Sequence, residues 1–159
     1  MSGKKVVFMI GAGGSGKSYS LAQSQYAQLA VVNSDNFIEA SPEWVGNGGN
    51  KEAHELHHWA SDLMEVQWAE MLAGESSFVL DGTGKTRANV EARMAQARAN
   101  GFQVVIFWVY APLEVCLHRN TLRPRQVPAE VIVEAWTKVK SNFPHYRKAA
   151  DEVTVAINY

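Results

Sequence analysis

The chain has 159 residues, 47% of them apolar and 19% charged, with 15 basic and 16 acidic side chains. That composition excludes a disordered, collagen-like or coiled-coil protein, and a chain of this length buries enough surface to be stable without disulfides. The single cysteine, Cys116, excludes an intramolecular disulfide and a zinc site built on cysteines.

The length predicts one domain over residues 1–159. The longest apolar run, 104–111, is too short to span a bilayer, and the opening residues lack a signal-peptide pattern. A cytoplasmic protein without a membrane partner is expected. The charge is unevenly spread: residues 1–84 hold 4 basic and 10 acidic groups, and residues 85–148 hold 11 basic and 4 acidic. A basic half suits a polyanion or a nucleotide's phosphates, or is merely solvated surface.

In chain order, the β-rich run Lys5–Ile10, ending at Gly11, predicts a buried strand. A helix over 18–29 and a short strand over 30–33 follow. Residues 41–50 read as a loop from their Gly, Asn and Pro content. Residues 52–73 predict a helix, with Leu56, Trp59, Ala60, Leu63, Met64, Trp68, Met71 and Leu72 at spacings of three and four, stopped by Gly74. A third strand is predicted over 76–80. The helix over 86–100 presents Val90, Met94 and Ala97 on one face. The run 104–110 is apolar without alternation, as in a central strand covered on both faces. A helix from Pro112 to about Asn120 leads into a polar connection over 119–127. Pro128 starts a final helix with Val131, Ile132, Ala135, Trp136, Val139 and Phe143 inward, and Pro144 marks its end or a kink. A last strand is predicted over 153–157.

Five strand–helix alternations predict an α/β fold with a mostly parallel sheet. Ligands of such sheets sit outside the carboxyl ends of the strands. Gly11 to Ser18, Asp35, the segment 81–83 and the turn at Ala111 and Pro112 therefore belong to one rim.

That rim carries a motif. Gly11-Ala-Gly-Gly-Ser-Gly16-Lys17-Ser18 fits G-x-x-x-x-G-K-S/T between a predicted strand and a predicted helix. Glycines let backbone N–H groups converge on a phosphate, and Lys17 is placed to bridge the β- and γ-phosphates. The Ser18 hydroxyl suits Mg²⁺, which prefers oxygen ligands. The expected nucleotide-binding residues are Gly11, Gly13, Gly14, Ser15, Gly16, Lys17 and Ser18, with ATP and Mg²⁺ as cofactors. The N-K-x-D base-reading motif of GTPases is missing, and Phe78-Val-Leu-Asp81-Gly-Thr83 lacks the acidic pair of motor ATPases. Chain length also argues for a small kinase.

Phosphoryl transfer to an alcohol needs a carboxylate beside the nucleophile. Asp35 lies at the right rim; it equally suits the N-cap of the short segment 36–40. Asp81 could hold Mg²⁺ through water or contact the acceptor, or serve as the turn residue before Gly82. Arg119, Arg123 and Arg125 form a cluster suited to bidentate phosphate contacts, or a solvated connection. Arg119 and Arg123, four apart, share a helix face if the helix reaches that far. His54, His57 and His58 share a helix face without a metal motif, Cys116 reads as core, and Trp44 with the loop 46–50 could clamp an acceptor or be plain surface.

With these residues assembled, the sequence resembles the P-loop kinases related to phage polynucleotide kinase and zeta toxin. Gly11 to Ser18 matches their phosphate loop. Asn33-Ser-Asp35-Asn-Phe37 is similar to the segment whose Asp is the general base for the acceptor hydroxyl. Leu80-Asp81-Gly-Thr83 resembles the zeta-toxin segment involved with substrate and metal, which implies substrate roles for Asp81 and Thr83 and a metal role for Asp81. Arg119-Asn-x-x-Arg123 is similar to the lid that supplies arginines to the ATP phosphates, and 127–132 resembles the helix start after it. The resemblance implies a three-layer P-loop NTPase fold with five parallel strands ordered 2-3-1-4-5 and an Arg-rich lid over about 119–128. It implies catalytic roles for Lys17, Asp35, Arg119 and Arg123.

The chain departs from polynucleotide kinases after the acceptor Asp, where it has Asn36, Phe37, Ile38 and Glu39 in place of Arg, and no phosphatase domain is expected. The acceptor stays open among a polynucleotide 5′-hydroxyl, a hydroxymethyl group on a modified DNA base, a nucleotide sugar and a small metabolite. A nucleotide-binding module without transfer activity is the reading outside enzymology.

Overall fold

A computed structural model of the chain describes residues 3–33, 54–124 and 126–159. Five strands, β1 (Lys5–Ile10), β2 (Ala30–Val32), β3 (Phe78–Asp81), β4 (Gln103–Tyr110) and β5 (Glu152–Ile157), form one sheet. Their order is β2-β3-β1-β4-β5 and every pairing is parallel. The order implied by the resemblance is the order found. Among the described residues the helices are α1 (Lys17–Ala22), α2 (His54–Ala73), α3 (Arg87–Ala99), α4 (Leu113–Thr121) and α5 (Ala129–Ala149).

The apolar character of β1 and β4 follows from their central place. Val6, Phe8 and Ile10 face a core with Trp68 of α2, Met94 of α3 and Val139 of α5. Val7 and Met9 face the opposite layer, with Leu21 of α1, Tyr26, Val105 and Phe107. Both faces are covered, as a parallel sheet requires. A third cluster joins Ala12, Ala111, Cys116, Ile132 and Ala135. It ties the turn after β1 to α4 and α5, so the core itself positions the rim. Burial pushes the Cys116 thiol above its ordinary pKa, consistent with a packing role.

Several boundaries differ from expectation. The helix predicted over 18–29 ends at Ala22. Ser24 is the reason: its hydroxyl donates to the Leu21 carbonyl at 2.8 Å and accepts the Tyr26 N–H at 3.1 Å, which replaces helical hydrogen bonds. The third strand begins at Phe78, not Ser76, and the Ser77 hydroxyl caps the Lys5 N–H at 2.8 Å. Pro144 neither ends nor closes α5, which continues to Ala149. The turns beyond it are anchored by Tyr146, fully buried, whose hydroxyl donates to the Gly84 carbonyl at 2.6 Å. Val131 is 41% exposed and faces the cleft described below, and Trp59 is 45% exposed, so neither packs inward as its spacing suggested. No helix among the described residues is long and apolar enough to cross a membrane.

Candidate active site

β1 delivers the chain to the rim between β3 and β4, and the glycine-rich loop begins there. The Gly11 N–H donates to the Thr83 carbonyl at 3.0 Å, and the Ser15 N–H donates to the Ala12 carbonyl at 3.1 Å. Gly11 and Ser15 are buried and shape the loop from beneath. Gly14 has φ +83°, and a Cβ there would lie 2.5 Å from the Cys116 carbonyl oxygen; Gly16 has φ +93°. Only glycine meets both demands without strain. The N–H groups of Gly13, Gly14, Gly16, Lys17 and Ser18 have no acceptor among the described residues. They form a set of free donors at the start of α1.

Lys17 reaches across to the end of β3. Its Nζ donates to the Gly82 carbonyl at 3.1 Å and lies 3.4 Å from the Asp81 carboxylate. Asp81 sits at the rim because it closes β3 beside Met9 of β1. Its Oδ2 accepts from the Asn33 amide at 2.6 Å, and its buried Oδ1 is the oxygen that faces the Lys17 ammonium. The side chains of Lys17 and Asp81 are only 17% and 11% exposed. Each charge offsets the desolvation of the other. Thr83 turns its hydroxyl to the Lys85 N–H at 3.3 Å.

The opposite wall hangs from α4. Arg119, in its last turn, donates from Nη1 to the Gly14 carbonyl and from Nη2 to the Tyr159 carbonyl, both at 3.2 Å. Arg123 lies beyond the helix end at Thr121, so the two arginines do not share a helix face. Both line the same cleft all the same. The Asn120 carboxamide closes this connection: Nδ2 donates to the Val127 carbonyl at 2.7 Å and Oδ1 accepts the Val127 N–H at 3.2 Å.

The cleft between the walls has a volume of about 450 Å³ and is lined by Gly13, Gly14, Gly16, Lys17, Ser18, Asn33, Asp81, Thr83, Arg119 and Arg123. Val127, Val131, Ile132 and Ala135 add an apolar side. The donor set suits a polyphosphate, with free N–H groups beside one ammonium and two guanidinium groups. The Ser18 hydroxyl and the Asp81 carboxylate supply oxygen donors that suit a hard cation. Asp35, the loop 41–50 and Arg125 lie outside the described residues, as do the side chains of His54, His57 and His58. Among the described residues, no group of three His, Cys, Asp or Glu could hold a metal ion.

A family model described as AAA domain, AAA_33, matches residues 6–145, most of the chain. The chain belongs to the AAA_33 family. Its fold is that of a P-loop kinase-like domain. No curated protein matches this AAA_33 chain. Among solved structures, it is similar to the AvrRxo1-ORF1:-ORF2 complex with ATP, with TM-score 0.78 and 17% identity, covering 92% of this chain and 50% of that one. It is also similar to a structure of the PezAT chromosomal toxin-antitoxin system of Streptococcus pneumoniae, with TM-score 0.74 and 12% identity over 99% and 70% of the chains. A third is the Pnkp1/Rnl/Hen1 RNA repair complex, with TM-score 0.70 and 15% identity over 91% and 47%. At these identities the likeness is one of fold. The AAA_33 chain spans about half the length of the AvrRxo1 and RNA repair chains it matches.

The AAA_33 site also uses residues to which the sequence motifs assign no role. Asn33 holds Asp81, and Asn120 closes the arginine connection. Asn142 donates to the carbonyls of Lys85 at 3.1 Å and Gly84 at 3.3 Å, and Tyr146 donates to Gly84 as well, so α5 clamps the segment whose Gly82 carbonyl meets Lys17. Burial, above all, pushes the Tyr146 hydroxyl up to about 12. The bonds of Asn33, Asn142 and Tyr146 join positions distant in sequence, and those of Asn120 span seven residues; local patterns carry no trace of them.

Proposed function

We propose that the chain is an ATP-dependent kinase that transfers the γ-phosphate to a hydroxyl group on nucleic acid or on a nucleotide-like acceptor. The acceptor group is a polynucleotide 5′-hydroxyl or the hydroxymethyl group of a modified DNA base. The observation that carries this reading is the convergence of Lys17, Ser18, Asp81, Arg119 and Arg123 on one cleft beside free loop N–H groups. Membership in a P-loop family and the likeness to an ATP-bound structure support ATP as donor.

In this reading the loop amides and Lys17 bind the β- and γ-phosphates. Lys17 exchanges the Gly82 carbonyl for phosphate oxygens, and Arg119 exchanges the Gly14 carbonyl in the same way. Arg123 joins it in stabilising charge on the transferring group. Ser18 and Asp81 would hold Mg²⁺, which when bound neutralises phosphate charge. Asp35 orients the acceptor hydroxyl and accepts its proton. Thr83 and Asp81 border the acceptor. The segment 119–128 serves as a lid that excludes water, and residues 1–159 act as one kinase domain in the cytoplasm.

The Asp81-Gly-Thr83 segment, which resembles that of zeta toxins, favours a second reading, in which the same machinery phosphorylates a nucleotide sugar or small metabolite. Transfer from γ-labelled ATP to a panel of 5′-hydroxyl DNA and RNA, hydroxymethyl-base DNA, nucleosides and sugar nucleotides separates the readings. Label on a polynucleotide is expected, and its position distinguishes end from base. Label only on a sugar nucleotide selects the second reading. Bound ATP with label on no acceptor overturns both in favour of a binding module.

A further inference from the structure

The residues that follow β5 reach back beneath the phosphate loop. The Asn158 N–H donates to the Tyr110 carbonyl at 2.7 Å, which adds one rung to the β4–β5 ladder and fixes the backbone there. From that point its side-chain Nδ2 donates to the Ser15 carbonyl and to the Ser20 hydroxyl, both at 2.9 Å. The atom facing Ser15 must be the amide nitrogen, because a carbonyl oxygen only accepts. Both amide hydrogens are therefore used.

The bond to Ser15 fixes more than a carbonyl. In a planar trans peptide the C=O and the next N–H point in opposite directions. Holding the Ser15 carbonyl on the β5 side aims the Gly16 N–H at the other side, where Gly16 lines the cleft. That N–H has no acceptor among the described residues. The packing is close: a Cβ on Gly16 would lie 2.6 Å from the Asn158 Nδ2, so glycine at 16 and asparagine at 158 fit as a pair. Asn158 lies beyond both the loop motif and the family match, which ends at residue 145.

We propose that Asn158 is a positioning residue of the phosphate loop, which orients the Gly16 N–H toward a bound triphosphate. The inference rests on the reading of the loop as a triphosphate site. Asn158→Asp sets an acceptor against the Ser15 carbonyl and should turn that peptide. Asn158→Ala removes the constraint without reversing it. Ser20→Ala removes the other partner and leaves the Ser15 bond in place.

The test is calorimetric titration of each variant with Mg²⁺ and a non-hydrolysable ATP analogue, beside thermal melting without ligand. Asn158→Asp should bind roughly tenfold more weakly or worse, Asn158→Ala several-fold more weakly, and Ser20→Ala within about twofold of wild type. A purely structural role would lower the melting temperature and leave affinity unchanged, and that result overturns the inference. Equal losses in Asn158→Ala and Ser20→Ala overturn it as well; this pair decides the matter if Asn158→Asp does not fold. A wild-type chain that fails to bind the analogue removes the triphosphate reading and this inference with it. Binding by wild type with full affinity in Asn158→Asp removes the inference alone.

Discussion

The phosphate-loop wall of the cleft grows directly out of the sheet, whereas the arginine wall hangs from the end of α4. On the first wall, Gly11, Lys17 and Asp81 take their places from strand ends and from one another: Gly11 bonds to Thr83, and Lys17 meets Asp81 and Gly82. On the second wall, Arg123 lies past the helix terminus in a connection closed by Asn120, and its neighbour Leu122 is 70% exposed. Arg119 bridges the walls by a hydrogen bond to the Gly14 carbonyl. The difference teaches a division of labour. A wall built on the core can hold a ground-state phosphate in one geometry, and a wall hung from a helix end can adjust to the group that is transferred.

Substitutions on the two walls should therefore fail in different ways. The largest effect is expected on the core-built wall: Lys17→Ala should lower phosphate transfer by roughly 10³-fold or more and weaken nucleotide binding, measured by turnover and titration. Asp35→Ala should lower turnover by roughly 10²–10⁴ while ATP binding persists; unchanged turnover would remove Asp35 as the base. On the arginine wall, Arg123→Ala should act mainly on kcat, by about 10²-fold, with little change in nucleotide affinity. An affinity loss matching that of Lys17→Ala would erase the distinction between the walls. Asn120→Ala should raise KM and lower kcat together, by about tenfold, and cost about 1–3 kcal/mol in urea unfolding by leaving the half-buried Val127 backbone groups unpaired.

The smallest effect is a pH effect. The Tyr146 hydroxyl titrates at about 12 in the fold, raised from an ordinary 10.0, chiefly by burial. A raised value means the neutral form is favoured when folded. The stability it contributes is complete below pH 10 and lost as the pH rises through about 12. Tyr146→Phe should lower stability by about 1 kcal/mol at neutral pH and flatten the alkaline decline seen in melting curves. An alkaline slope unchanged by Tyr146→Phe would assign the decline to other groups.

The same contrast governs what the sequence makes legible. Gly11 to Ser18 is readable because a phosphate loop needs fixed residue types at fixed local spacing, and the sheet order came through resemblance to a family with that loop. Asp81 is readable because strand ends define the rim. The end of α1 at Ala22 was hidden, because one hydroxyl of Ser24 redirects two hydrogen bonds. Val131 carries helical core spacing yet faces the cleft, since periodicity marks an apolar face without saying whether protein or ligand covers it. Asn33, Asn142 and Asn158 act by bonds to residues far away in sequence, and Asn120 by bonds across a seven-residue connection that shows no regular pattern. Side-chain amides of that kind become visible only when the chain is folded.

The most direct test is single-turnover transfer from γ-labelled ATP by wild type, Lys17→Ala and Asp35→Ala, each with nucleotide binding measured on the same sample. The account expects label on a hydroxyl acceptor with wild type alone, nucleotide binding kept in Asp35→Ala and weakened in Lys17→Ala. Full transfer by Lys17→Ala, or binding without transfer by wild type on every acceptor, would contradict it.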